Sequence, residues 1–238
     1  MNSVRFWLLA GAFAGLVTAC GGGSSPAGPS GGGGSSSGSC RTFATAGTET
    51  YTIDGVQGPE ASQWVGGFDS GTRKYTFRGS RPSTPITTTV ESTYLSVADF
   101  VDEIQVFPPK TLAQRVTSIN SDGTVIADYN YTYDSQRRLL QDRVTSSGGG
   151  GGVTTTYTAW DSAGRYTAFT QTGAVNRTYQ VSYDDSTRTQ TFTPITGGGP
   201  INIWVYNAAG IRTSATIVEG GSRAVITLAV TSTGQVCR

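Results

Sequence analysis

A short motif recurs four times in the second half of the chain, and it constrains the fold more than any other feature. Each copy is an aromatic residue, then Asp or Asn, then two or three small or polar residues, and an Arg close behind. The second residues of the four copies are Asp134, Asp161, Asp184 and Asn207. Successive copies are 27, 23 and 23 residues apart, measured between the aromatic residues Tyr133, Trp160, Tyr183 and Tyr206. This period accommodates two strands with their turns, and it predicts consecutive β-hairpins.

The chemistry of the motif is that of a tight turn. In the copy from Asp161 to Gly164, the carboxylate can accept a backbone N–H two residues on. Gly at the fourth position allows a left-handed backbone, through which the chain re-enters the partner strand. Asn207 and Gly210 repeat the arrangement, as does the segment from Asn120 to Gly123. Arg137 and Thr187 stand where Gly is expected.

Strand periodicity supports the same interpretation. Residues 125–133 place Ala127 and three tyrosines on one face, and Asp128 and Asn130 on the other. We therefore predict an all-β fold, an antiparallel β-meander of sequential hairpins with ten or more strands, curved and able to close. About ten strands run from residue 113 to the C-terminus, and a degenerate copy is expected at residues 231–234. Residues 111–238 form the repeat region.

Residues 40–110 predict a β-rich N-terminal segment with one short helix near 97–104. Strands are expected at residues 41–45, 50–53, 74–78 and 87–94. Ser96 and Asp99 have the spacing of a capping box, and Val97, Phe100, Val101 and Ile104 share one helical face. Pro108-Pro109 ends the helix, which is expected to plug one side of the sheet.

The hairpins with Tyr-Asp-x-x-Gly-Arg character resemble the YD repeats of the Rhs family. The resemblance covers about 120 residues, and Arg137, Thr187 and Trp160 depart from the pattern. It implies a secreted scaffold of successive strands with a role in carbohydrate binding or cell-surface contact. Four or five copies are too few to enclose a toxin, as the long members of the family do.

The N-terminus predicts export and lipid attachment. Residues 1–19 form a signal segment with Arg5 before an apolar stretch too short for a stable bilayer span. The run from Val17 to Cys20 resembles the bacterial lipobox, which implies that Cys20 is lipidated. Gly21 follows Cys20, and this implies the outer membrane in a cell with two membranes. Residues 20–39 comprise the lipidated Cys20 and a Gly/Ser tether, which has a span of roughly 25 Å as a random coil.

Two cysteines remain after Cys20, and they bracket the folded region. Cys40 and Cys237 are expected to form a disulfide in an oxidising compartment, and the alternative is two free thiols. A pair this far apart in sequence would place the first and last strands side by side.

Composition excludes several classes of function. The chain has no histidine, which removes Ser-His-Asp and Cys-His catalysis and imidazole metal sites, and we expect no metal or cofactor. Its net charge of +1 gives no basis for binding nucleic acid. Hydrolysis by a carboxylate pair stays open, although the adjacent pairs Asp184-Asp185 and Asp102-Glu103 point to opposite faces of a strand.

Two features indicate where a ligand could bind. Asn202, Trp204 and Tyr206 share one face of the strand at 201–206, and they form a sugar platform if the opposite aliphatic face is the core. The alternative is that these aromatic residues extend the core. Four arginines follow the turns, and they either pair with the turn carboxylates or form an anion-binding stripe: Arg138, Arg165, Arg188 and Arg212.

The sequence therefore predicts a lipid-anchored, non-catalytic envelope protein with a structural, adhesive or glycan-recognition role. Its partners would be the membrane, through the lipid, and a polysaccharide or an envelope protein. An envelope glycan hydrolase is the alternative function.

Overall fold

One antiparallel sheet closes on itself to form a β-barrel. The computed structural model describes residues 40–58, 60–81, 84–104, 111–145, 151–208 and 210–237. Within these residues, fourteen strands pair in sequential order around a ring. The ring closes because β1 (Cys40–Ile53) pairs with β15 (Ser222–Cys237), from Cys40 opposite Cys237 to Ile53 opposite Ala224. The predicted all-β antiparallel meander is confirmed, and its curvature reaches closure.

The other elements follow one another without crossovers. In chain order they are β2 (Val56–Gln57), β3 (Ser62–Asp69), β4 (Lys74–Arg81), β5 (Thr84–Thr93), α1 (Val97–Glu103), β6 (Arg115–Asn120), β7 (Val125–Tyr133), β8 (Leu139–Thr145), β9 (Val153–Trp160), β10 (Tyr166–Gly173), β11 (Arg177–Asp184), β12 (Thr189–Thr196), β13 (Ile201–Tyr206) and β14 (Arg212–Glu219). The short β2 pairs with the end of β1 and is not part of the ring. No helix among the described residues is long and apolar enough to cross a membrane. The predicted signal segment, Cys20 and the predicted tether lie outside the described residues.

Antiparallel order gives the barrel two distinct ends. Cys40 and Cys237 form a disulfide where β1 begins and β15 ends, and we call this the disulfide end. In an antiparallel meander, every second connection lies at the same end of the barrel. The connection between β5 and β6, which contains α1, therefore lies at the disulfide end. The turns at the disulfide end open with Asp69, Asp134, Asp161, Asp184 and Asn207. The remaining connections, including those at residues 174–176 and 197–200, lie at the opposite end.

The turn at Asp161 shows how the motif produces a hairpin. Oδ1 of Asp161 accepts the backbone N–H of Ala163 and of Arg165, each at 2.9 Å. The N–H of Gly164 donates to the carbonyl of Asp161 at 3.0 Å, and Gly164 has a φ of 76°. Asp134 uses the same contacts, and there Arg137 occupies the left-handed position with a φ of 62°.

The turn at Asp184 is one residue longer. Asp184 pairs with Thr189, and the left-handed residue is Arg188, with a φ of 52°, rather than Thr187. The turn after β3 has the same form, because Asp69 pairs with Lys74 and Arg73 has a φ of 57°. The Gly expected at residue 187 is therefore not needed, since the extra residue moves the left-handed position.

We expect Gly164→Val to destabilise the barrel by about 1 to 2 kcal/mol. A side chain at Gly164 would meet no atom within 4 Å, so the whole effect would come from forcing a β-branched residue into a left-handed conformation. Gly67→Val is the matched control, because Gly67 also has open space but no left-handed φ. Urea unfolding measures both variants, and equal stabilities would contradict the turn geometry.

The inner and outer faces of the ring differ sharply in composition. Along β4, Tyr75 and Phe77 are buried while Arg78 and Ser80 are exposed. The other strands repeat this alternation, with threonine the commonest outward residue on several of them, for example at Thr154, Thr156 and Thr158 of β9. Exposed aliphatic residues are scattered singly over several strands, for example Val65 on β3, Leu140 on β8 and Ile195 on β12. The barrel therefore has an aromatic interior and a largely hydroxylic exterior.

The helix α1 fills the barrel at the disulfide end. Ser96 caps it, with a capping box to Asp99 as predicted. Phe100, Val101 and Ile104 are almost fully buried, and the Phe100 ring stacks on Phe68 with their centroids 4.0 Å apart. The helix ends at Glu103, and Pro108-Pro109 lies outside the described residues. The prediction that this helix plugs the sheet agrees with its burial.

The structure corrects several boundaries drawn from the sequence. The strands expected at 41–45 and 50–53 are one continuous β1, and β3 was not predicted. Residues 231–234 lie inside β15 and form no hairpin, because the strand is long enough to span the full seam with β1. The sheet also continues across residue 110, since β5 pairs with β6. The N-terminal segment and the repeat region thus build one barrel.

Candidate functional site

Arginines and carboxylates alternate around the disulfide end. Nε of Arg138 bonds to Oδ2 of Asp134, and Nε of Arg165 bonds to Oδ2 of Asp161, each at 2.6 Å. Each guanidinium also lies over an aromatic ring of the next hairpin. Arg138 is 4.8 Å from the ring centroid of Trp160, and Arg165 is 4.5 Å from that of Tyr183. The repeat therefore links successive hairpins through cation–π contacts.

Further carboxylates compensate the positive charge of this row. Arg165 Nη1 also bonds to Asp185 at 2.6 Å. Arg137 pairs with Asp99 of α1 and lies 3.9 Å from Asp102. For Arg138 and Arg165, these contacts favour pairing with carboxylates over an anion-binding stripe. The ion pairs also tie the plug helix to the first turn of the repeat region.

A cavity of about 290 Å³ opens beside these pairs, between the β7–β8 and β9–β10 turns. Its lining includes Arg138, Trp160, Arg165, Tyr166, Tyr183 and Gln190. This volume lies near the lower limit for small-molecule sites, which is about 300 Å³. The cavity combines aromatic rings with hydrogen-bonding groups, as ligand sites commonly do.

Gln190 organises the inner wall of the cavity. It is only 3% exposed, and its Nε2 donates to the hydroxyls of Tyr166 at 3.2 Å and Tyr183 at 3.4 Å. Its Oε1 accepts from the hydroxyl of Tyr206 at 3.3 Å. Burial raises the pKa of Tyr166 to about 12, so its hydroxyl is neutral at physiological pH. The wall is a neutral network that fixes the amide in one orientation.

The residues proposed as a sugar platform face the barrel interior. Tyr206 is 3% exposed, and the Trp204 ring packs against Phe192 with centroids 4.5 Å apart. The guanidinium of Arg212 lies 5.2 Å from the Trp204 ring centroid. Asn202 lies at the same strand phase, and Ile201 is on the outward face. The aliphatic face of β13 therefore points outward. The sugar platform required that face to be the core, so this condition is not met.

We expect Trp204→Ala to lower the free energy of unfolding by about 3 kcal/mol, because it empties space between an aromatic cluster and the smaller cluster around Ala215 and Ile226. Half-burial of Trp204 places the effect at the low end for a large aromatic residue. Trp204→Phe, which keeps a ring against Phe192, should cost less than half as much. Denaturant unfolding of both variants is the measurement, and an unchanged midpoint for Trp204→Ala would contradict interior packing.

Asp184, Asp185 and Asp142 each make contacts other than those of a catalytic pair. Hydrogen bonds from Ser186 and Thr187 lower the pKa of Asp184 to about 2, and Asp185 binds Arg165. Asp142 is buried, which raises its pKa to about 6 against hydrogen bonds from Tyr157 and Thr155. The adjacent pair at 184–185 thus serves a turn and an ion pair rather than a cleft.

Sequence reasoning did not identify Gln190 or Asp142, and it did not predict the burial of Glu103 and Arg212. Strand phase could have indicated Gln190 and Asp142, since both lie on the inward side of their strands. Arg212 is fully buried, and this lowers its pKa, although its electrostatic interactions with Tyr206 and Glu49 oppose the shift. Glu49 belongs to β1, far away in sequence, so no local pattern connects the two.

Comparisons with known proteins give little further guidance. No family model matches this sequence, and no curated protein matches it. Among solved structures, the chain is similar to a porin-like protein from Bacteroides uniformis, at 11% sequence identity and a TM-score of 0.34. The match covers 78% of this chain and 95% of that chain. A similarity this distant carries no argument about function.

Proposed function

We propose that this chain is a lipid-tethered, non-catalytic protein of the cell envelope. In this proposal the barrel is surrounded by water rather than by lipid, and it functions in recognition or adhesion. The observation that carries the proposal is the polarity of the two barrel faces. On β11, Tyr179 and Val181 point inward and are buried, while Gln180 and Ser182 point outward and are exposed. A barrel with this polarity is stable in water.

Barrels that span membranes have the reverse pattern. Their outward residues form a continuous apolar band between aromatic girdles, and their interior is polar. Here the rings of Phe169, Tyr179 and Phe192 pack together inside the barrel. Charged and hydroxyl side chains on the outer face would be costly against lipid. Membrane attachment is therefore proposed to come from the lipid on Cys20 and not from the strands.

The position of Cys40 sets the orientation of the barrel in this proposal. The Gly/Ser tether precedes β1 at the disulfide end, so that end would lie at a root-mean-square distance of roughly 25 Å from the headgroups. The opposite end would face away from the membrane. The turn motif, which resembles YD repeats, would then build the end nearest the membrane.

Fractionation of cells that express the full chain tests the proposal. We expect wild-type protein to incorporate a fatty-acid probe and to partition with membranes after carbonate washing. Cys20→Ser should lose the probe and appear in the soluble fraction without detergent, with an unchanged melting temperature. A Cys20→Ser protein that needs detergent for extraction would contradict the proposal that the barrel is surrounded by water. Probe retained by this variant would overturn lipidation at Cys20.

A further inference from the structure

We propose that a proline-containing segment of this same chain, from Pro26 to Pro29, docks into the cavity between the β7–β8 and β9–β10 turns. The segment belongs to the predicted tether and lies outside the described residues. The proposal goes beyond the proposed function, because a tether can link a barrel to a membrane without contacting the barrel. Docking would give the tether two states, one bound to the barrel and one released from it.

The first argument is that the segment can reach the cavity. The tether ends at Cys40, where β1 begins at the disulfide end, and the cavity opens at the same end. Seven strand-to-strand steps separate β1 from β9 in a ring of fourteen, so the cavity lies across the ring from Cys40. Strands about 4.8 Å apart and tilted by about 40° make such a ring roughly 28 Å across. Cys40 follows Pro29 by eleven residues, which span up to about 36 Å when extended.

The second argument is the set of hydrogen-bond donors in the cavity. Its lining includes the guanidinium groups of Arg137, Arg138 and Arg165, and none of the described lining residues is Asp or Glu. Asp134 accepts the Nε–H of Arg138, and the two Nη groups of Arg138 have no hydrogen-bond partner within the described part of the chain. Stacking over Trp160 holds this guanidinium in place. A lining rich in donors suits a ligand that offers acceptors.

A segment in the polyproline II conformation is such a ligand. It has no internal hydrogen bonds, so its carbonyl groups are free to accept. Proline also has no N–H that would need an acceptor inside the cavity. Pro26 and Pro29 are three residues apart, which places both rings on one side of a helix with three residues per turn. The carbonyl groups between them would accept from the Nη groups of Arg138.

The third argument is the aromatic surface of the cavity. Trp160, Tyr166 and Tyr183 line it, and proline-rich segments bind in grooves that are lined by aromatic rings. The buried amide of Gln190 bonds to the hydroxyls of both tyrosines, so this surface is ordered before any segment binds. A volume of about 290 Å³ accommodates a few residues rather than a folded partner.

Attachment to the barrel makes a weak contact sufficient. A short flexible linker gives an effective concentration of about 1 mM, so an intrinsic dissociation constant of about 0.5 mM would leave the cavity about two-thirds occupied. In the docked state, only residues 20–25 would separate the barrel from the lipid proposed for Cys20. As a random coil these residues span roughly 13 Å, about half the span of the whole tether. Docking would therefore hold the barrel closer to the membrane.

Fluorine NMR of Trp160 tests the contact in the full-length protein, labelled with 5-fluorotryptophan and kept in a zwitterionic detergent. Trp160→Phe identifies the signal, and a water-soluble nitroxide broadens it in proportion to the accessibility of the ring. We expect Pro26→Gly combined with Pro29→Gly to increase this broadening about threefold, as two-thirds occupancy of the cavity requires. The matched control, Ser25→Gly combined with Ser30→Gly, keeps both prolines and should leave the broadening unchanged.

Shortening the tether is a second test, because it leaves the docking segment intact. Deletion of residues 31–36 leaves Cys40 only five residues after Pro29, a span of at most about 18 Å. This is less than the width of the ring, so the protection of Trp160 should be lost. Replacing the four glycines at 31–34 with serine keeps the length of the tether and should keep the protection.

Three results would overturn the proposal. The first is equal broadening of the Trp160 signal in wild-type protein and the double proline variant. The second is a loss of protection in the serine control at residues 25 and 30 as large as in the proline variant. The third is protection that survives the deletion, since the cavity would then be covered by something other than the chain's own tether. None of these results depends on the lipid, which the fractionation of Cys20→Ser measures separately.

Discussion

Raising the pH from well below 4.5 to well above 8 should lower the free energy of unfolding by about 5 kcal/mol through Glu103 alone. Glu103 is fully buried at the end of α1. Burial raises its pKa from 4.5 to about 8, although hydrogen bonds from Leu112, Tyr94 and Ala113 act in the opposite direction. Each unit of difference between the folded and unfolded pKa corresponds to about 1.4 kcal/mol.

The direction of the effect follows from proton binding. Below pH 4.5 the carboxyl is protonated in both states, and the stabilisation is fully present. Between pH 4.5 and 8 the folded protein keeps a proton that the unfolded chain has released, so stability falls as the pH rises. Above pH 8 the carboxyl is ionised in both states, and no further loss occurs.

Glu103→Gln is the variant that isolates this effect. A neutral amide can still accept from the N–H of Leu112 or Ala113, and its NH₂ can donate to the Tyr94 hydroxyl. Urea unfolding from pH 6 to 8 should show a slope in wild-type protein and little slope in the variant. This range avoids most of the titration of Asp142, whose pKa is about 6. Identical slopes would show that Glu103 does not carry the raised pKa.

Replacing both Cys40 and Cys237 with Ser should destabilise the barrel by up to about 5 kcal/mol. The disulfide joins residues 197 positions apart, and in the loop-entropy model the restriction of the unfolded chain grows with loop length. The disulfide also clamps the seam between β1 and β15, which local hairpins cannot form because these strands lie at opposite ends of the chain.

The control for this variant is Cys20→Ser, which removes a cysteine without touching the seam. It should unfold like the parent protein in the same detergent. Reduction of the wild-type protein should reproduce the double variant, since both leave the seam with hydrogen bonds and packing only. Two free thiols in unfolded, unreduced protein, or an unchanged midpoint in the double variant, would contradict the prediction.

Local chemistry explains why much of the fold could be predicted. The ten strands expected after residue 113 correspond to β6 through β15, because each hairpin is specified by a turn and two alternating segments close in sequence. Ser96 and Asp99 likewise specified the start of α1 within a single turn. The candidate cavity was not predictable in this way. Gln190, Trp160 and Arg138 belong to three hairpins, and only their packing brings them together.

The sequence by itself determined the order of the hairpins and the conformation of their turns. It also separated the two faces of each strand, because side chains alternate with a period of two. Only the tertiary structure decided which face is inside. On β13 both faces are apolar, and closure of a fourteen-stranded ring leaves an interior wide enough to need Trp204 and Tyr206 rather than the aliphatic residues beside them. The same closure brings Arg212 within electrostatic range of Glu49, although the two residues are far apart in sequence.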